Sequence, residues 1–119
     1  MFALALLKIP VSGLGPALAF YEGALGLPAE FVAEEYGWAQ LAGAGLPLAL
    51  YVPGKGGGNR RPGGSLDFHL AHPSPAALLT QIEAAAPDAG AALHSNADGS
   101  QSLECRDPDG NEIKIMKSA

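Results

Sequence analysis

The 119-residue chain is poor in several residue types. It has one cysteine, Cys105, one tryptophan, and only 16% charged residues, with seven Lys and Arg against twelve Asp and Glu. A single cysteine excludes an intrachain disulfide and a thiolate metal cluster. A formal net charge of −5 argues against nucleic acid and anionic membranes as partners, because phosphate binding needs a basic footprint. No apolar run approaches membrane-spanning length. The opening MFALALL has no basic leader and no small-residue cleavage site before Lys8, so it reads poorly as a signal peptide. No Ser-His-Asp or Cys-His constellation supports a hydrolase. The expectation is a cytoplasmic protein with a small-molecule partner, and no nucleic acid or membrane partner.

Hydrophobic residues make up 48% of the chain, enough for one compact domain with its own core. The most legible stretch is RDPDGNEIKIMK, Arg106 to Lys117. Pro108 presets φ in the turn, Asp109 can bond its own backbone, and Gly110 accepts positive φ. Ile113 and Ile115 then alternate with Glu112, Lys114 and Met116, while Leu103 and Cys105 alternate on the other side of the turn. Two alternating runs about such a turn predict a hairpin, with Cys105 as inert core filler.

In chain order, Phe2 to Ile9 reads as a strand covered on both faces. Ser12 is placed to cap a helix carrying Leu14, Leu18, Tyr21 and Leu25 as its apolar stripe, ended by Gly26 and Pro28. Strands follow near Glu30–Glu34, Gly37–Ala42 and Leu46–Val52, with Gly43-Ala44-Gly45 as the second turn. Gly54 to Gly64, GKGGGNRRPGG, is a low-complexity segment and reads as a flexible, solvated connection. It lacks the spacing of a phosphate loop, although Lys55, Arg60 and Arg61 leave open a lid over an anionic ligand. Ser65 to Ala71 then reads as a strand. A helix begins at Ser74-Pro75 with Leu78, Leu79, Ile82 and Ala86 buried. Strands near Ala91–Asn96, Gln101–Arg106 and Glu112–Lys117 complete the set. Each half is strand-helix-strand-strand-strand, with module one at residues 1–53, the linker at 54–64 and module two at 65–119.

Two motifs carry a family resemblance. DPDGN followed by an alternating strand, and LKIPVSGLGPALAFYEGALGLP at Leu7 to Pro28, resemble the end and the opening of the glyoxalase / bleomycin-resistance / extradiol-dioxygenase group, the vicinal oxygen chelate superfamily. The resemblance implies an α+β fold of two βαβββ modules, whose curved sheets form an open, half-barrel-like cleft with the helices outside. It also implies pairing of subunits, and a small chain rich in apolar residues has reason to bury more surface, so a homodimer is expected.

Metal-dependent members bind a divalent ion at four cleft positions, which match Leu6, Ala49, Asp67 and Lys114 here. Two of these are hydrocarbon and one is an ammonium, so the family's usual lyase, isomerase or dioxygenase chemistry is not expected. No metal, cofactor or catalytic residue is assigned. By strand parity the cleft is lined by apolar Leu4, Leu6, Ala49 and Met116, by the rings of Trp38, Tyr51 and His69, and by polar Gln40, Asp67, Glu112 and Lys114. The expected ligand-binding residues are Trp38, Gln40, Tyr51, Asp67, His69, Glu112, Lys114 and Met116, and an Asp67–Lys114 ion pair is expected in place of the metal. The resulting expectation is a metal-free protein that sequesters a small organic or antibiotic-like compound, with stacking and cation–π contact on Trp38 suiting a flat or cationic one. The alternative is a metal-dependent enzyme of the glyoxalase type with a rearranged site at Asp67, His69 and Glu112. His72 and His94 read as surface residues.

Overall fold

Ile9 and Val11 are fully buried while Lys8, on the opposite face, is exposed, so the first strand is not covered on both faces along its length, contrary to expectation. The computed structural model describes residues 1–64 and 67–118. In it β1 spans Leu7–Pro10 and pairs in parallel with β4, Leu48–Tyr51. Strands β2, Ala29–Ala33, and β3, Trp38–Leu41, complete the first sheet in the order β1-β4-β3-β2. The second sheet repeats this plan. It is built from β5, His69–His72, β6, Ala92–Ser95, β7, Gln101–Arg106, and β8, Glu112–Lys117, in the order β5-β8-β7-β6. The two βαβββ modules expected from the order of elements are therefore present, and the fold is α+β.

The first strand differs from expectation. Met1, Phe2 and Leu4 are exposed, and the ladder begins only at Leu7. The cause lies in its partner. Leu7 is in register with Leu48 and bonds the Pro47 carbonyl at 3.0 Å, and the Gly43–Gly45 turn lies just before that point. Among the described residues, no strand pairs with the earlier ones. The first two residues of the expected strand Ser65–Ala71 lie outside the described residues.

Helix α1, Leu14–Leu18, runs on as a π-helical turn over Ala19–Ala24. The Leu25 amide donates to the Phe20 carbonyl at 3.0 Å, the five-residue spacing of that turn. Tyr21 and Leu25 are buried as expected, the wider turn adds Phe20 and Ala24 to the core, and Leu14 and Leu18 are only partly buried against it. Gly26, at φ 76°, ends the segment as expected. Ser12 is not the cap. Gly13 occupies that position without a side-chain bond, and the Ser12 amide instead donates to Asp109 Oδ2 at 2.9 Å. Helix α2, Pro75–Ala85, is capped by Ser74, whose Oγ accepts from the Ala77 amide at 3.2 Å.

One core joins the modules. Ile9, Leu41, Leu48 and Leu50 from the first sheet meet Leu78 and Ile82 of α2 and Leu103, Cys105, Ile113 and Ile115 of the second sheet in a single buried cluster. Gln81 of α2 donates to the Ala24 carbonyl at 2.8 Å, tying the two helical segments together on that side. Both helical segments cover the inward faces, which leaves the opposite face of each sheet open. Among the described residues, no helix is long and apolar enough to cross a membrane.

Candidate ligand-binding cleft

The open faces are read row by row from the strand registers. On the first sheet, Lys8, Ala49, Gln40 and Phe31 form one row across the strands, and Pro10, Tyr51, Trp38 and Ala33 form the next. On the second, His69, Lys114, Glu104 and Ala92 form a row, followed by Ala71, Met116, Ser102 and His94. Glu112 stands opposite Arg106 and is bonded to it at 3.2 Å.

Each residue expected at the site within a strand stands on an open face, but the eight do not come together as one pocket. Trp38, Gln40 and Tyr51 lie on the first sheet, whereas His69, Glu112, Lys114 and Met116 lie on the second, and Asp67 is exposed just ahead of β5. Tyr51 lines a cavity of about 550 Å³ at the linker end of the first sheet. His69 lines a separate crevice of about 500 Å³ between the modules, with Leu7, Leu27 and Leu48 on one side and Phe68, Leu70 and Ile115 on the other.

The glycine-rich segment changes the picture of the first sheet. It packs onto the open face. A Cβ on Gly57 would lie 2.9 Å from the Trp38 ring, and one on Gly58 would lie 2.7 Å from the Tyr51 ring. Only glycine allows this approach of backbone to aromatic faces. Gly54 bonds the Gly58 carbonyl at 3.1 Å, Lys8 Nζ donates to the Gly57 carbonyl, and Gly63 donates to Asn111 Oδ1 at 2.9 Å. The expected free linker is thus a docked loop. Tyr51 is buried beneath it, and its ring already holds a cation, Lys8 Nζ, 5.1 Å from the centroid. The ring expected to stack on a ligand is mostly used by the protein itself.

Asp107 and Asn111, which flank the turn at Pro108 to Gly110, are buried and anchor this end of the cleft. Asp107 Oδ1 accepts from the amides of Asp109 and Asn111, and Oδ2 accepts from the Tyr21 hydroxyl at 2.7 Å and from Asn111 Nδ2 at 2.8 Å. Asn111 Nδ2 also donates to the Pro10 carbonyl at 2.9 Å. The motif therefore joins β1, the π-helical turn, the loop and β8 at one point. Burial, followed by the Asp107 charge, pushes the Tyr21 phenol far above its ordinary range, so it remains a donor. The same two causes push the Cys105 thiol up to about 12, which agrees with an inert core cysteine.

The donor set does not fit a metal. Of the four matched positions, Leu6 and Ala49 offer no ligand atom, and Lys114 stands between His69 and Glu104 in its row. The Asp67–Lys114 pair is not formed. Among the described residues, the ion pairs are His94–Glu104 at 3.5 Å and Arg106–Glu112 at 3.2 Å. The rearranged set of Asp67, His69 and Glu112 does not gather either. Glu112 is turned to Arg106, and among the described residues no group of three His, Cys, Asp or Glu side chains could hold an ion. His72 is half-buried, with Nδ1 accepting from the Ser74 amide at 3.0 Å, so it is less of a surface residue than expected.

Comparison with solved structures settles the architecture. A lactoylglutathione lyase from Agrobacterium tumefaciens superposes with a TM-score of 0.80 at 20% identity, over 98% of this chain and 93% of that one. This is the glyoxalase/bleomycin resistance/dioxygenase fold. TnmS3, an antibiotic binding protein from Streptomyces sp. CB03234, shares it with a TM-score of 0.74 at 22% identity, over 100% of this chain and 98% of that one. A bleomycin resistance determinant encoded on the transposon Tn5 shares it with a TM-score of 0.70 at 20% identity, over 98% of each chain. No family model matches the sequence, and no curated protein does. The glyoxalase-type fold thus hosts both an enzyme and binding or resistance proteins among these neighbours, and the residues of the cleft must decide between them.

The residues that sequence reasoning missed are Lys8 and Asn111. Lys8 shares the outward parity of Leu6, and carrying the alternation two residues further would have placed it in the cleft. Asn111 carried no outward sign beyond its place in DPDGN.

Proposed function

We propose that this protein binds a small organic molecule on the open face of its sheets without a metal ion, in the manner of a sequestering or resistance protein. The observation that carries the reading is the donor set. The four positions that would converge on an ion supply two hydrocarbons, one exposed carboxylate and one ammonium, and an ammonium repels a divalent cation. The antibiotic binding of the Streptomyces neighbour and the bleomycin resistance of the Tn5 neighbour are precedents for a binding role on this fold. Gln40, Lys114 and Met116 then supply polar and apolar contacts on half-buried or exposed positions. The test is a thermal-shift screen of a compound library, run with and without EDTA. A compound that raises the melting temperature equally in both conditions supports the reading, and stabilisation that vanishes with EDTA contradicts it.

We further infer a two-fold homodimer. Edge strand β2 presents Phe31 and Val32 to solvent, and Phe2, Leu4 and Met116 are exposed as well. An edge strand with apolar side chains invites pairing, and a second copy of this chain would cover it.

A further inference from the structure

The cavity at the linker end of the first sheet has an unusual charge for this molecule. The chain carries seven Lys and Arg against twelve Asp and Glu, yet Lys8, Arg60 and Arg61 all line this one space of about 550 Å³ and no carboxylate of the described residues does. Among the described residues, none of the three has a carboxylate partner within 4.0 Å, since the ion pairs there are His94–Glu104 and Arg106–Glu112. Three cations gathered without counter-charge repel one another, and an anion relieves that repulsion. Lys8 is held in place by the Tyr51 ring and by the Gly57 carbonyl, which uses one of its three N–H donors. None of the described side-chain hydrogen bonds uses the hydroxyl of Tyr51, a buried residue that also lines the cavity. Gly58 and Gly64 line it without Cβ atoms, so a ligand can approach the backbone closely. Asn111 at the base is fully used by Gly63, Pro10 and Asp107, and it acts by positioning the loop.

We propose that this cavity is an oxyanion-binding site, taking the phosphate or carboxylate group of a small organic molecule on Lys8, Arg60 and Arg61. Guanidinium groups suit these anions because each can donate two parallel N–H bonds to them. The inference does not depend on the cleft being metal-free. It concerns the loop end of the first sheet only, and an enzyme on this fold could hold its substrate's anionic group there equally well.

The experiment titrates phenyl phosphate, inorganic phosphate, benzoate and neutral phenol into the protein at constant ionic strength, by calorimetry and by emission of Trp38, whose ring touches Gly57. Saturable one-to-one binding of at least one anion, with none for phenol, is expected. Phenyl phosphate or benzoate binding tighter than inorganic phosphate identifies an organic anion as the occupant, and the reverse identifies free phosphate. The double variant Arg60→Ala/Arg61→Ala should weaken anion binding by about tenfold or more, as losing charge-assisted bonds worth above about 1.4 kcal/mol requires. Both arginines are exposed, so its urea midpoint should match the parent. A control variant, Lys55→Ala/Lys117→Ala, removes the same charge outside the cavity and should keep the parent affinity. No saturable anion binding would overturn the proposal, and so would equal weakening by the control.

Discussion

Asn111 is fully buried, and each polar atom of its side chain has a partner. Its neighbour in the network, Asp107, accepts four hydrogen bonds through its two carboxylate oxygens. Such a network stabilises only while it is complete, because each orphaned buried group costs about 1–3 kcal/mol. Tyr21→Phe removes one donor to a charged acceptor, and we expect a loss of about 1.5–3 kcal/mol in urea denaturation with the slope unchanged. Asn111→Ala orphans groups on β1, the loop and Asp107 together, so its loss should be larger, on the order of 3 kcal/mol or more. The Cys105 thiol is pushed from its ordinary 9.0 up to about 12. A raised pKa in the folded state means that the folded protein holds the proton longer. Its contribution is complete below pH 9 and is lost as pH rises through the window to about 12. Stability should fall there by about 1.4 kcal/mol per pH unit for this one proton, and Cys105→Ala should flatten the slope by that amount. Tyr21 adds to the decline above its unfolded value of 10.0. At this scale the sequence was half legible. DPDGN announced its turn through Pro108 and Gly110, but a buried Asp and Asn read the same as exposed ones, because burial is a property of what the rest of the chain brings to them.

The elements were easier to read than their ends. Strands β7 and β8 fall where strict alternation put them, since the turn between them fixes the register. Strand β1 was misplaced because an apolar run says nothing about where its partner begins. The π-helical turn was hidden because sequence periodicity assumes 3.6 residues per turn. The largest gap concerned the loop at Gly54 to Gly64. Six glycines suggested entropy alone, whereas Gly57 and Gly58 are there because Trp38 and Tyr51 leave no room for a side chain. Gly58→Ala should therefore lift the loop off the sheet. Native trypsin digestion checks this. The parent should resist cleavage at Lys55 and Arg60, and the variant should be cut there several times faster, as about 1 kcal/mol of lost docking would allow. Equal rates would mean that the loop opens freely in both.

For the whole molecule, the order of elements gave strand-helix-strand-strand-strand twice, because local patterning and connection lengths leave few other arrangements, and the family resemblance supplied the open faces of the sheets. The site was less legible. Parity put the expected residues on open faces, but it could not show that the loop covers Tyr51 or that Glu112 is turned to Arg106. The exposed apolar residues of β2 and the N-terminal stretch lead us to expect a dimer in sedimentation at micromolar concentration, and Phe31→Glu should shift the population toward monomer. The central claim, binding without a metal, rests on hydrocarbon and ammonium groups at the positions where ligands would converge. Elemental analysis of the protein purified without chelator tests it most directly. The account predicts only substoichiometric traces of divalent metal, and one tightly bound ion per chain would contradict it.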